Sequence, residues 1–360
     1  MAEPIRKTEL FSLQFLRVVA SSLVMLYHAT IYTNLRLIPS VKPFVAGAAG
    51  VDIFFVISGL VMVYSSAKLI GDSNGWRVFA ERRLIRIVPM YWLALLTKIA
   101  LTLVAGGAVL NHDLKVSHIL KSFFFVPYMG IEGRMEPILG VGWTLNFEIM
   151  FYAVFALALL FRANIYVFVG SVMMVLTALS FTVPRGSTSA FLFYCNPRVL
   201  EFFLGMVLGG LFLHRRAKLP LWLALMMTAV GFGLLVSQPL ITAHFAQLGR
   251  SILPAVFITW GCLSLEDFFK KLPRWWLVLA DASYVTYLFH GMIAPAGAVI
   301  MSKLRIPVAS LSILLCIAIG TLAGVALYLL VDKPINQFLR KRSFNTQPSA
   351  AKESTVGTHS

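Results

Sequence analysis

The chain has 360 residues, 59% of them hydrophobic and only 13% charged, and its mean hydropathy is +0.82. That composition excludes a soluble globular domain and describes an integral membrane protein. The formal charge of +16 does not point to nucleic acid, because the basic residues gather in short connections between apolar runs.

Runs of the roughly 17 to 25 apolar residues that a crossing needs predict ten spans: 13–33, 44–66, 84–108, 138–160, 165–182, 196–213, 219–237, 250–265, 277–299 and 307–331. The fold class is therefore all-α, a polytopic membrane helix bundle over residues 1–342. A polar stretch without hydrophobic periodicity, 343–360, reads as a disordered tail. Basic residues on the side of the termini outnumber those on the other side about two to one, which puts both termini in the cytoplasm. The first run has no small-residue cleavage site and reads as a retained helix, not a signal peptide. Cys195, Cys262 and Cys316 are scattered, so neither a disulfide framework nor a cysteine metal site is expected.

Ionisable side chains are costly in hydrocarbon, so each one inside a span calls for a reason. The first span, "LRVVASSLVMLYHAT", holds Arg17 and His28, eleven residues apart. At the helical rise they lie on nearly the same face about 16 Å apart, with Arg17 near the cytoplasmic boundary and His28 in the outer half. The second span, "GVDIFFVISGLVMVY", returns inward with Asp52, roughly 9 Å below its outer end, and with Ser58. The third begins with "ERRLIRIVPMYW", where Arg83 and Arg86 share a face and Pro89 can bend the helix. Paired guanidiniums suit bidentate phosphate binding. A long outer connection, 109–137, contains an amphipathic segment that lies along or re-enters the interface. The fourth span, "VGWTLNFEIMFY", brings Glu148 to a depth like that of Asp52. A histidine level with two carboxylates is what a general base requires.

Bland alternatives stand beside each reading. Arg82, Arg83 and Arg86 could be topology determinants, and Arg17 could snorkel to the headgroups. His28 could serve helix packing, as could Ser58 with Gly59. Tyr284, Tyr287 and His290 in "DASYVTYLFH" occupy neighbouring helical positions, where packing is the default.

Six words in order, "LRVVASSLVMLYHA", "GVDIFFVISGLVM", "ERRLIRIVPMYW", "VGWTLNFEIMFY", "DASYVTYLFH" and "VDKP", span about residues 10 to 337. With these the chain resembles membrane-bound acyltransferase family 3, of the bacterial exopolysaccharide and O-antigen O-acetyltransferase type. The family's arginine, ten residues, histidine motif falls on Arg17 and His28. Its arginine pair falls on Arg83 and Arg86. Its Ser-Gly-Phe motif appears as Ser58, Gly59 and Leu60, which keeps the bulk and lacks the ring.

The resemblance implies an acyl donor, acetyl-CoA, held from the cytoplasmic side by Arg17, Arg83, Arg86 and Ser58, with no metal. It implies transfer to a hydroxyl of a cell-surface or exported glycan, free or lipid-linked, in the bacterial inner membrane alongside polysaccharide assembly machinery. His28 is then the base oriented by Glu148 or Asp52, or the carrier of a transient acyl group. No fused hydrolase-like domain is expected. The competing reading is a secondary transporter or glycan exporter whose buried ionisable groups couple to protons.

Overall fold

A computed structural model describes residues 10–105, 114–130, 133–182, 188–214, 218–236 and 251–345. Among them there is no strand. The helices are α1 (Phe11–Arg36), α2 (Gly50–Ser66), α3 (Gly75–Ala105), α4 (Val116–Phe123), α5 (Gly142–Leu160), α6 (Ile165–Ser180), α7 (Ala190–Tyr194), α8 (Val199–Leu213) and α9 (Leu221–Val236). They continue with α10 (Leu253–Ser264), α11 (Glu266–Phe269), α12 (Trp276–Ile293), α13 (Pro295–Lys303), α14 (Ala309–Leu327) and α15 (Lys333–Asn345). A π-helical turn, Tyr328–Asp332, joins the last two. Each of the ten expected spans falls on an apolar helix or helix pair. Six are long and apolar enough to cross a membrane, and α6, α8, α9 and α10 are shorter apolar helices. The protein is an all-α, multi-pass membrane bundle. Of the expected tail, residues 346–360 lie outside the described residues, as do 109–113 and 131–132 of the outer connection.

The outward side chains are apolar, including Val104 at 88% and Leu330 at 77% exposure, as contact with lipid tails demands. Inside, aromatic rings fill the space. Phe202 stacks on Phe55 and on Phe151, with centroids 4.5 and 4.6 Å apart, and Phe79 stacks on Phe155 at 4.7 Å. Such contacts and close backbone approach hold helices together in lipid, where water exclusion contributes little. The α2–α8 seam shows the second device. A side chain at Gly205 would collide with the Val56 carbonyl, and one at Gly59 with the Phe202 carbonyl, so glycine alone lets these backbones touch.

Two hairpin seats set the depth of everything that follows. A 3-10 turn, Val45–Ala49, precedes α2, and Gly47 rests against Leu23 and Tyr27 while Gly50 rests against Ala20 and Val24. The α2 helix thus starts about a turn or two short of His28. Likewise α5 starts at Gly142 against Tyr91, far below the outer end of α3. The connection before it dips to the same depth, where Tyr91 donates to the Ser122 carbonyl at 2.9 Å and Trp92 to the Phe123 carbonyl at 3.1 Å.

The bundle also closes on itself. α1 packs on α12 and α14, and Thr33 and Ser312 share a hydrogen bond of 2.8 Å. The start of α1 is capped by Glu266, which accepts from the Phe11 and Ser12 amides at 2.9 Å each and from the Ser12 hydroxyl at 2.6 Å. Beside it, hydrogen bonds from Lys270 and Lys218 hold the Asp267 carboxyl below the usual carboxylate range.

Candidate active site

Helices α1, α2, α3, α5 and α12 enclose a recess with about 740 Å³ of empty volume, part of it open to the surroundings. The recess is long. On α2 its lining runs from Val51 to Met62, eleven residue steps or about 16 Å of helix. Arg17, Ser58, Arg83, Arg86, Glu148 and Tyr152 line one stretch, and Thr144, Tyr284 and Tyr287 carry it onward. The structure therefore brings together Arg17, Ser58, Arg83 and Arg86.

Three guanidiniums and one carboxylate face this space. Glu148 Oε1 accepts from the Ser58 hydroxyl at 3.2 Å and from the Tyr152 hydroxyl. Arg83 donates to Ser65 Oγ and lies over the rings of Phe79 and Tyr152, at 5.5 and 5.9 Å. Arg17 donates to Gln14 at 3.3 Å. Arg86 has no hydrogen-bond or ion-pair partner among the described residues, although it lines the recess and interacts electrostatically with Arg17 and Arg83. Like charges gathered around an open space, one of them unpaired, form a receptor for an anion.

His28 does not line this recess. Its Nδ1 lies 2.9 Å from the Val24 carbonyl, which can only accept, so Nδ1 carries the hydrogen and Nε2 keeps its lone pair. Its ring neighbours are Tyr27, Tyr32 and His290, with centroids 4.9, 6.1 and 4.7 Å away. Neither Asp52 nor Glu148 is among its partners, so the expected histidine flanked by two carboxylates is not formed. The hairpin seats give the reason. With α2 starting at Gly50 and α5 at Gly142, Ser58 and Glu148 come level with Arg17, about 16 Å along α1 from His28.

Asp52 belongs to a different group. Its Oδ1 is 3.2 Å from Arg198 Nε, with side-chain exposures of 3% and 29%. Arg198 in turn lies over the Trp143 ring at 5.3 Å. Glu201, fully buried on α8, interacts electrostatically with Asp52 and Arg198 and accepts from Ser251 at 3.3 Å. This cluster fastens α2 to α8.

The recess and His28 are linked by α12. Tyr284 donates to the Ile87 carbonyl at 2.9 Å, in the turn before Pro89, and Tyr287 shares a hydrogen bond of 2.9 Å with Thr144. Both line the recess. Three residues further on, His290 meets the ring of Tyr287 at 5.9 Å and that of His28 at 4.7 Å. This stripe, at spacings of three, rises about 9 Å along the helix. Among the described residues, no group of three or more His, Cys, Asp or Glu could hold a metal ion.

The family model described as "Acyltransferase domain" matches residues 10–330. The chain is similar to the exopolysaccharide production protein ExoZ of Rhizobium meliloti (strain 1021), 35% identical over 321 residues, which is 86% of this chain and 94% of that protein. No solved structure matches.

Proposed function

Since the chain belongs to acyltransferase family 3, we propose that it transfers an acetyl group from acetyl-CoA to a hydroxyl of an exported polysaccharide. The observation that carries this reading is the elongated recess, with its three guanidiniums at one stretch and the Tyr284, Tyr287, His290 stripe leading from it to His28. The ExoZ protein is described by its part in exopolysaccharide production, which favours an exopolysaccharide as acceptor, free or lipid-linked. The bias of basic residues favours both termini in the cytoplasm of a bacterial cell, with the membrane domain in the inner membrane. It also favours the arginine-lined stretch as the cytoplasmic end, where acetyl-CoA is met.

In this reading Arg17, Arg83 and Arg86 hold the donor's phosphates. Glu148 fixes Ser58 and Tyr152 and offsets part of the positive charge when the site is unfilled. The apolar wall from Val51 to Met62 suits a thin extended pantetheine arm. His28 Nε2 takes the proton of the attacking sugar hydroxyl as the C–O bond forms and the C–S bond breaks, and that proton returns to the departing thiolate. A positioned base contributes about 10² to 10⁴ in rate. Asp52 acts at a distance, by holding α2 against α8. Polysaccharide assembly machinery then supplies or removes the acceptor.

The test is mass analysis of surface polysaccharide from cells with and without the protein. Loss of an acetyl substituent on deletion, restored by the wild-type chain, is the expected result. Identical polysaccharide in both strains would overturn the reading.

A further inference from the structure

Val51, Thr144 and Tyr287 are the recess-lining residues furthest toward the outer ends of α2, α5 and α12, so they make the outer end of the recess. From Tyr152, whose ring Arg83 overlies, to Thr144 is eight residue steps of α5, or about 12 Å. A donor with its phosphates among the guanidiniums and its arm along the α2 wall therefore brings its thioester to this end, three residues below His290 on α12.

The hydroxyls of the recess are not equivalent. Ser58 and Tyr152 donate to the Glu148 carboxylate, and Ser283 and Tyr284 donate to the Ala280 and Ile87 carbonyls. Those acceptors carry no hydrogen and hold their donors. At the outer end the Val141 carbonyl is oversubscribed. It faces the Thr144 hydroxyl at 2.9 Å, the Thr144 amide at 3.3 Å and the Tyr287 hydroxyl at 3.3 Å, yet a carbonyl has two lone pairs. With the Thr144 proton on that carbonyl, Tyr287 donates to the Thr144 oxygen at 2.9 Å. A buried donor is thus kept satisfied while the site is empty, by a partner it can exchange.

We propose that Tyr287 is a catalytic residue whose hydroxyl is the oxyanion donor of the acyl transfer. As the sugar oxygen bonds to the thioester carbon, the C=O π pair moves onto the carbonyl oxygen, and the Tyr287 O–H turns about its phenol C–O bond to donate to that oxygen. When the C=O re-forms, the C–S bond breaks and its electron pair leaves on the thiolate. Tyr287 keeps its proton throughout. A phenol is a more acidic donor than the aliphatic hydroxyl beside it. A donor aimed at charge that develops only during the reaction raises kcat and leaves donor binding alone.

The inference rests on the acyltransfer reading, and two variants of one hydrogen bond test it. Tyr287→Phe removes the hydroxyl and keeps the ring against Phe54, with centroids 6.0 Å apart. Thr144→Val breaks the same bond from the other side and leaves the phenol O–H in place. Membranes carrying wild type, Y287F or T144V, given acetyl-CoA and polysaccharide from a strain lacking the protein, are assayed for acceptor-dependent thiol release over a range of donor concentrations. The expected result is that Y287F lowers kcat about 10²- to 10³-fold with donor KM within about threefold of wild type, while T144V lowers kcat less than about tenfold.

A loss in T144V equal to or greater than that in Y287F would make the bond a structural latch and overturn the proposal. So would a Y287F kcat within about tenfold of wild type, or a loss confined to donor KM. If wild-type membranes release no acceptor-dependent thiol, the acyltransfer reading fails instead.

Discussion

Truncating Arg86 to alanine isolates the anion-binding role of the recess. Arg86 makes no ion pair or hydrogen bond within the described protein, and it faces the same space as Arg17 and Arg83. Its removal breaks no hydrogen bond or close ion pair; it relieves repulsion with Arg17 and Arg83 and gives up a longer-range attraction to the buried Asp332, so the change in stability is small. On the proposed reading, what it does lose is a bidentate contact to a phosphate. Hydrogen bonds to charged groups are each worth about 1.5 to 3 kcal/mol, which at 1.36 kcal/mol per tenfold raises the donor KM about 10- to 150-fold. Because the contact is far from the reacting atoms, it binds ground state and transition state alike, and kcat changes by less than about threefold. Arg86→Lys keeps the charge without the planar fork and falls between the two. The assay is initial-rate thiol release from acetyl-CoA by purified protein over a wide donor range, paired with thermal unfolding in the same detergent. An unchanged donor KM in R86A would refute the reasoning. So would a drop in stability with a matching fall in kcat, since that would make Arg86 a structural residue.

If His28 is the proposed base, His28→Ala should lower the rate about 10² to 10⁴ with membrane insertion unchanged; near wild-type acetylation of polysaccharide would exclude the residue from the chemistry. Asp52→Ala takes the ion-pair partner from Arg198, whose side chain is 29% exposed and which keeps Glu201 as an electrostatic neighbour, so the loss stays below that of breaking a fully buried pair, about 3 to 5 kcal/mol. Activity should then track the folded fraction measured by thermal unfolding, with donor KM unchanged; a large kcat loss in fully folded protein would return Asp52 to a catalytic role. Glu266→Ala uncaps the start of α1, removing three accepted hydrogen bonds and leaving two amides unsatisfied. A loss of about 1 to 3 kcal/mol is expected, and no shift in the detergent melting temperature would contradict it.

The all-α class and the order of the apolar helices were legible because lipid imposes a length and a composition that a sequence displays openly. The depth of each helix was not. The run from 44 to 66 is mostly apolar throughout, and nothing in the letters says that Gly47 and Gly50 lie low against α1, or that Gly142 seats on Tyr91. That offset alone moved Glu148 away from His28 and into the arginine group. Asp52 was misassigned for a second reason: its partner Arg198 lies far along the chain, at the edge of a span, where it reads as a loop charge. Glu201 was passed over and His290 was left to packing, although both are ionisable residues inside apolar runs and the rule that made Arg17 and His28 conspicuous applies equally to them. The spacing of Tyr284, Tyr287 and His290 marks a polar stripe on an otherwise apolar helix.

His28 and His290 belong to the first and the ninth predicted spans, and the chain must complete its circle before they meet. A ribosome threading this protein into the bilayer therefore delivers one half of this contact long before the other. No nascent fragment ending before α12 holds both rings, so their meeting marks the closure of the bundle.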